Sequence, residues 1–224
     1  MKRIMTLLTV FAVLFTVTSC SAANNSSEEQ SVDVNIHNPE EFVSDSQMAL
    51  QYLKDGNQRY LTNKPIERDS NAEDREALKD GQRPFAVIIT CSDSRVSPEI
   101  YFDQKLGDIF VIRNAGNIAD KITIGSIEYA VEHLGTPLVV VVGHSSCGAV
   151  TAAFDGGENP NDLQSIIDKI SSNIEDCDDL EGGIRSNIVS TMETIKEDIV
   201  IKETNATVIG AHYDIESGKV SWIQ

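Results

Sequence analysis

Two short clusters carry the residues able to do chemistry: Cys91-Ser92-Asp93-Ser94-Arg95 and, 53 residues further on, His144-Ser145-Ser146-Cys147-Gly148. Two thiolates and an imidazole suit a zinc ion, with the His-x-x-Cys pair supplying two donors from one turn and Cys91 the third from another. Three protein ligands leave a fourth tetrahedral position open, which is the arrangement of a catalytic zinc site. Zinc turns a water in that position into a nucleophile near neutral pH. Two thiolates neutralise the formal charge of the metal and weaken this effect relative to three neutral imidazoles, so a nearby group must orient the hydroxide. Asp93 can accept its hydrogen bond, and Arg95 can hold Asp93 ionised through a charge-assisted contact. Plainer uses of the same residues are a structural zinc, a Cys91–Cys147 disulfide and, for Asp93 with Arg95, a simple ion pair.

These clusters need elements to bring them together. Phe85 to Thr90, Ile109 to Arg113 and Leu138 to Val142 are compact apolar runs rich in Val and Ile, the pattern of strands buried on both faces of a parallel sheet. Each chemical cluster follows one such run, and ligands of open α/β sheets bind at the carboxyl ends of the strands. Ser46 to Leu61 places Ala49, Tyr52, Leu53 and Tyr60 on one side at helical spacing. Asn71 to Lys79 predicts a short second helix, and Ile122 to Leu134 a third that Gly135-Thr136-Pro137 ends. Asn161 to Glu203 reads as helical with an interruption at Gly182-Gly183. Ala206 to Tyr213 predicts a strand that turns through Glu216-Ser217-Gly218-Lys219 into a hairpin partner, Val220 to Ile223. The expected fold class is therefore α/β: a mainly parallel sheet flanked by helices, with an amphipathic N-terminal helix and a C-terminal hairpin strand. Gly116 and Gly143 are expected where backbone approaches closely near the pocket.

The two motifs together resemble the β-class carbonic anhydrases. The resemblance extends through Gly81-Gln82, Val111-Ile-Arg-Asn-Ala-Gly-Asn117, Glu128-Tyr-Ala-Val131 and Ala211-His-Tyr-Asp-Ile215, and so covers essentially all of residues 46–224. It implies that Cys91, His144 and Cys147 bind zinc and that Asp93 and Arg95 position a zinc-bound hydroxide for reversible hydration of carbon dioxide to bicarbonate and a proton. It further implies that Gln82 and Phe110 line the substrate pocket, partly from a neighbouring subunit, in a homodimer or dimer of dimers. In some members the Asp becomes a fourth ligand. Members that regulate this closed form with a second bicarbonate carry a Trp where this chain has Ile88, although Arg113 and Tyr213 remain. A carbon dioxide analogue such as carbon disulfide or carbonyl sulfide is the alternative substrate, and a non-catalytic zinc-binding surface lipoprotein the alternative class.

The beginning of the chain has its own logic. Lys2 and Arg3 precede an apolar run, Ile4 to Val17, broken only by Thr6, Thr9 and Thr16. It is shorter than the roughly 20 residues that a spanning helix needs and has the form of a secretory signal. Val17-Thr-Ser-Cys20 resembles a bacterial lipobox, which makes residues 1–19 a signal peptide, Cys20 a lipidated first residue, and the product an exported protein anchored to a bacterial membrane on its surface or periplasmic side. From Ser21 to Asp45, 15 of 25 residues are Ser, Asn, Asp or Glu, too polar to offset ordering entropy, so residues 20–45 read as a tether ahead of the domain at 46–224.

With Cys20 assigned to lipid, Cys91, Cys147 and Cys177 remain, an odd number that cannot all pair within one chain. Cys177, inside Glu175-Asp-Cys-Asp-Asp179, reads as an exposed and inert thiol. Of the histidines outside the metal cluster, His37 falls in the tether and His133 on a helix, both solvated or packed, and His212 has no sequence feature that places it near the metal. The chain carries 18 Lys and Arg against 35 Asp and Glu, a formal charge of −17. Such a surface repels phosphate backbones, which excludes nucleic acid as a partner. Residues 21–45 hold −6 of that charge and residues 155–203 hold −9, so the acidity lies mostly away from the metal cluster.

Overall fold

The computed structural model describes residues 37–38, 41–66 and 71–223. The signal peptide, Cys20 and the first part of the tether lie outside the described residues. Among the described residues, no helix is long and apolar enough to cross a membrane.

Helices α1 (Ser46–Leu61) and α2 (Ala72–Leu78) precede β1 (Ala86–Cys91), the short α3 (Pro98–Tyr101) and β2 (Ile109–Asn114). Next come α4 (Lys121–Glu128), which runs on as a π turn over Tyr129–His133, and β3 (Leu138–His144). Four helices follow, α5 (Gly148–Asp155), α6 (Asn161–Ile174), α7 (Leu180–Lys196) and α8 (Ile199–Thr204), ahead of β4 (Thr207–Tyr213) and β5 (Val220–Ile223). The five strands form one sheet in the order β2-β1-β3-β4-β5. All neighbours are parallel except the terminal pair β4–β5, which is an antiparallel hairpin. Two of the three continuous apolar runs become central strands covered on both faces, with every residue of β1 and β3 buried, whereas the third, β2, lies at the edge of the sheet and is only half-buried. Each fully buried Val, Ile or Leu contributes about 1.5–3 kcal/mol by leaving water. One face packs Val87, Ile89, Val139 and Val141 under α4, α6 and α7. The other packs Ile88, Val140 and Val142 with Ala49, Leu50 and Leu53 of α1.

Three sequence expectations need correction. Gly182 and Gly183 do not interrupt a helix. They lie in the first turn of α7, where Asp179 caps the helix by accepting from the Gly182 N–H at 2.7 Å. The break falls instead in the acidic stretch 175–179, whose carboxylates favour a helix start. Gly183 is needed for close packing, since a Cβ there would come within 2.2 Å of the Phe154 ring. Secondly, the described end of the polar segment read as a tether, His37, Asn38 and residues 41–45, packs on the domain in part. His37 is buried and shares a 2.7 Å hydrogen bond with Asp108, and Val43 joins the core. Thirdly, Cys177 is half-buried against the core rather than exposed.

The docking of α1 depends on one glycine and one buried amide that hydrophobic periodicity does not reveal. Asn57 Nδ2 donates to the carbonyls of Tyr101 and Gly218, both at 2.9 Å, while its Oδ1 accepts from the Val220 N–H at 3.0 Å. Next to it, a Cβ on Gly56 would lie 1.7 Å from the Phe102 carbonyl oxygen, which is backbone and cannot swing aside. Gly56→Ala is therefore expected to destabilise the protein by about 3 kcal/mol or more. An unchanged denaturation midpoint in urea would show that α1 docks differently.

Candidate metal centre

The sheet delivers the first two donors. Cys91 and His144 are the last residues of the adjacent parallel strands β1 and β3, so both chemical clusters open at the same carboxyl edge. Beyond β3 the chain reverses in two residues, with Ser146 in the left-handed region at φ 56°. Its register is set against the neighbouring strand: the Ser145 N–H donates to the Tyr213 carbonyl at 3.0 Å, and Ser145 Oγ accepts from the Ile215 N–H at 2.9 Å. Cys147 then occupies the N-cap position of α5. Cys91 Sγ, Cys147 Sγ and a ring nitrogen of His144 all lie within 4.8 Å of one another, and all three residues are buried. Gly143, one residue before His144, lets α7 pack closely on β3, because a Cβ there would meet Ile188 at 2.7 Å.

The donor atoms have the states that a soft divalent cation requires. His144 Nδ1 lies 3.0 Å from the Ser145 carbonyl, which can only accept, so Nδ1 carries the proton and Nε2 presents a lone pair. That Nε2 is buried and makes no hydrogen bond within the protein, a costly arrangement unless something else binds it. Cys91 and Cys147 are free thiols. Hydrogen bonding from Cys147 pulls the Cys91 thiol well below its usual range, against burial that raises it, with smaller help from the Gly116 N–H at 3.5 Å. Cys147 is pushed up by the same contact with Cys91 and by burial. The lowered Cys91 thiol offers the anionic sulfur that a soft cation binds. The S, S, N donor set and the orphaned imidazole nitrogen both fit zinc.

Asp93 and Arg95 stand beside this triangle. Arg95 Nε donates to Asp93 Oδ1 at 2.9 Å and Arg95 Nη2 to Oδ2 at 2.6 Å, while the Arg95 backbone N–H adds a further bond to Oδ1 at 2.9 Å. The guanidinium holds the carboxyl well below the usual carboxylate range, so Asp93 is an ionised, acceptor-only group. Its Oδ2 lies 4.0 Å from His144 Nε2. Arg95 also reaches the Ser146 carbonyl at 3.4 Å, which ties the two chemical turns together.

Five of the sequence-derived residues therefore meet: Cys91, His144, Cys147, Asp93 and Arg95. Gln82 and Phe110 do not join them within one chain. Gln82 is exposed on the loop that feeds the start of β1, the end opposite Cys91. Phe110 pairs with Val87 in the register, again towards the strand start, and faces Tyr129 at a ring distance of 6.3 Å. His212 is buried on β4 with Nε2 3.5 Å from Glu181 Oε1, and desolvation pushes its imidazole down. Arg113 has a role beyond what its motif suggested. Its Nη2 donates to the Asp93 carbonyl at 2.7 Å and its Nε to the Cys91 carbonyl at 3.2 Å, so β2 clamps the backbone of the turn that carries both residues. The available signal was a lone cation ending an apolar strand.

Comparison with known proteins agrees with this geometry. Residues 86–220 match the family model described as carbonic anhydrase. A carbonic anhydrase of Mycolicibacterium smegmatis is 48% identical over 130 residues, covering 56% of this chain and 63% of the relative. The chain thus spans less than two thirds of the length of that relative. One of two tetrameric β-carbonic anhydrases of Sordaria macrospora superposes with a TM-score of 0.62 at 26% identity, covering 78% of this chain and 96% of the other. The β-carbonic anhydrase CafA of Aspergillus fumigatus gives 0.61 at 28% identity over 68% and 81%. A family model that takes in more than half of the sequence, its core motifs included, shows that the chain belongs to the carbonic anhydrase family.

Proposed function

We propose that this protein catalyses the reversible hydration of carbon dioxide to bicarbonate and a proton, with zinc held by Cys91 Sγ, His144 Nε2 and Cys147 Sγ. The observation that carries the reading is the Asp93–Arg95 pair, fixed beside the donor triangle with Asp93 Oδ2 4.0 Å from His144 Nε2. A zinc ion bound there supplies Lewis acidity that lets water act as a nucleophile near neutral pH. The chain's own residues do the rest. His144 stays in one tautomer because the Ser145 carbonyl holds Nδ1. Asp93, which cannot donate while ionised, accepts the hydrogen bond of a water held between it and the triangle and so aims the oxygen lone pair at substrate. Arg95 keeps Asp93 ionised and in place, and its own half-exposed side chain opens the site to solvent, where proton and anion leave. A storage or structural zinc site has no use for this pair. The test is stopped-flow carbon dioxide hydration by protein carrying one zinc per chain, before and after stripping with a chelator. Turnover that depends on zinc supports the reading, and none above the buffer rate at pH 8 and higher sinks it.

The similarity to tetrameric β-carbonic anhydrases supports a homodimer or dimer of dimers for this chain. In such an assembly Gln82 and Phe110, remote from their own chain's metal centre, would serve a neighbouring one. The basic start, short apolar run and Val17-Thr-Ser-Cys20 support export and lipid anchoring through Cys20. Cys20→Ala should move the protein from the membrane to the soluble fraction of a bacterial host. Continued sedimentation with membranes would remove the lipid anchor from the reading.

A further inference from the structure

The Gly116 N–H donates to the Cys91 sulfur at 3.5 Å, and two linked side-chain amides hold Gly116 where it is. Gly116 adopts φ 76°, in the left-handed region. A Cβ on it would come 2.5 Å from Ile170 Cδ1 and 3.3 Å from Ala149 Cβ, so α5 and α6 press directly on its backbone. Its carbonyl accepts from Asn187 Nδ2 at 2.8 Å. Asn187 Oδ1 in turn accepts from Asn173 Nδ2 at 2.8 Å. These two partners settle the orientation of the Asn187 amide, since a carbonyl demands the NH2 group and a donor demands the oxygen. The Asn173 backbone carbonyl is itself fixed by Ser186 Oγ at 2.6 Å.

Asn187 is 1% exposed on the face of α7 that otherwise buries Ile184, Ile188 and Ile195. An apolar side chain there would suit that face and avoid the cost of desolvating an amide. The polar side chain is used 71 residues away in sequence, at Gly116.

We propose that Asn187 is a positioning residue for the metal ligand Cys91: by holding the Gly116 carbonyl it keeps the Gly116 N–H on the sulfur. The proposal rests on the reading that the Cys-His-Cys triangle binds a metal. A hydrogen bond to a ligating thiolate draws charge off the sulfur and limits what it donates to the metal, while fixing the sulfur's direction. Asn173 acts one step further out, by orienting Asn187.

The test uses the full chain with cobalt in place of zinc, because the near-ultraviolet sulfur-to-cobalt charge-transfer band reports electron density on the thiolates directly. In Asn187→Leu the band moves to lower energy, since a sulfur without its hydrogen bond gives up an electron more readily. Zinc affinity, measured by competition with a chromophoric chelator, falls about tenfold or more because losing the sulfur's fixed direction outweighs its gain in donor strength, with one metal per chain still bound at saturation. Asn173→Ala shifts the band the same way by less, and it decides the matter if Asn187→Leu does not fold. An unmoved band with a lowered melting temperature overturns the proposal and leaves Asn187 as core packing alone. If wild-type protein takes up neither cobalt nor zinc, the metal reading itself falls and this role with it. Normal wild-type uptake with an unmoved band removes only the role of Asn187.

Discussion

Asp93→Asn is expected to leave one zinc per chain in place and to lower kcat for carbon dioxide hydration by about a thousandfold, within the range for removing a group that handles a reacting proton. That loss corresponds to about 4 kcal/mol of transition-state stabilisation. The substitution is nearly isosteric, and Asp93 is not one of the three donors of the metal triangle. What it removes is the charge. An amide turns an NH2 group either to Arg95, which has only donors to offer, or to the water it should accept from. The two-pronged contact with Arg95 at 2.9 and 2.6 Å cannot survive that change intact. Because the missing interaction orients the nucleophile rather than binding substrate, kcat and kcat/KM should fall together while KM stays nearly constant. Activity within a few-fold of wild type, with zinc retained, would reduce Asp93 and Arg95 to a structural ion pair.

Cys147→Ala should abolish metal retention and bring hydration to the buffer rate, through a different link in the chain of causes. Removing one donor of three leaves a sulfur and a nitrogen, too few to hold zinc against solvent. The fold should survive, because Cys147 makes no side-chain capping bond to α5 and alanine occupies the same Cβ position. Deleting one buried sulfur costs about 1 kcal/mol at this N-cap site, small beside the loss of the ion. Metal analysis after gel filtration and circular dichroism on the same sample check the two halves separately. The contrasting variant is Cys177→Ala, in which zinc and turnover should remain. Full zinc occupancy in Cys147→Ala would place the metal elsewhere.

The amino-acid sequence alone determined the features that depend on neighbours along the chain. Val- and Ile-rich runs announce buried parallel strands because alternation disappears when both faces are covered, and the donor residues stand out because each cluster follows such a run. That parallel strands end at one edge is a rule of the architecture, so the meeting of Cys91 with His144 is legible in the sequence. Element boundaries were less so. Gly182-Gly183 looks like a break when read locally, yet the glycines serve contact with Phe154. His37 looks like part of a polar tether, yet it meets Asp108 across 71 positions.

Only the tertiary structure decided the supports of the site. The clamp of Arg113 on the Cys91 and Asp93 carbonyls, the fit of Gly56 against Phe102, and the path from Asn173 through Asn187 to Gly116 join residues from different elements. No periodicity or spacing encodes such contacts, because each exists only once the helices have packed on the sheet. The donors were thus written in the sequence, while the hydrogen bonds that orient and tune them arise from long-range packing, where a buried amide or a missing Cβ acquires a partner that it lacks in the extended chain.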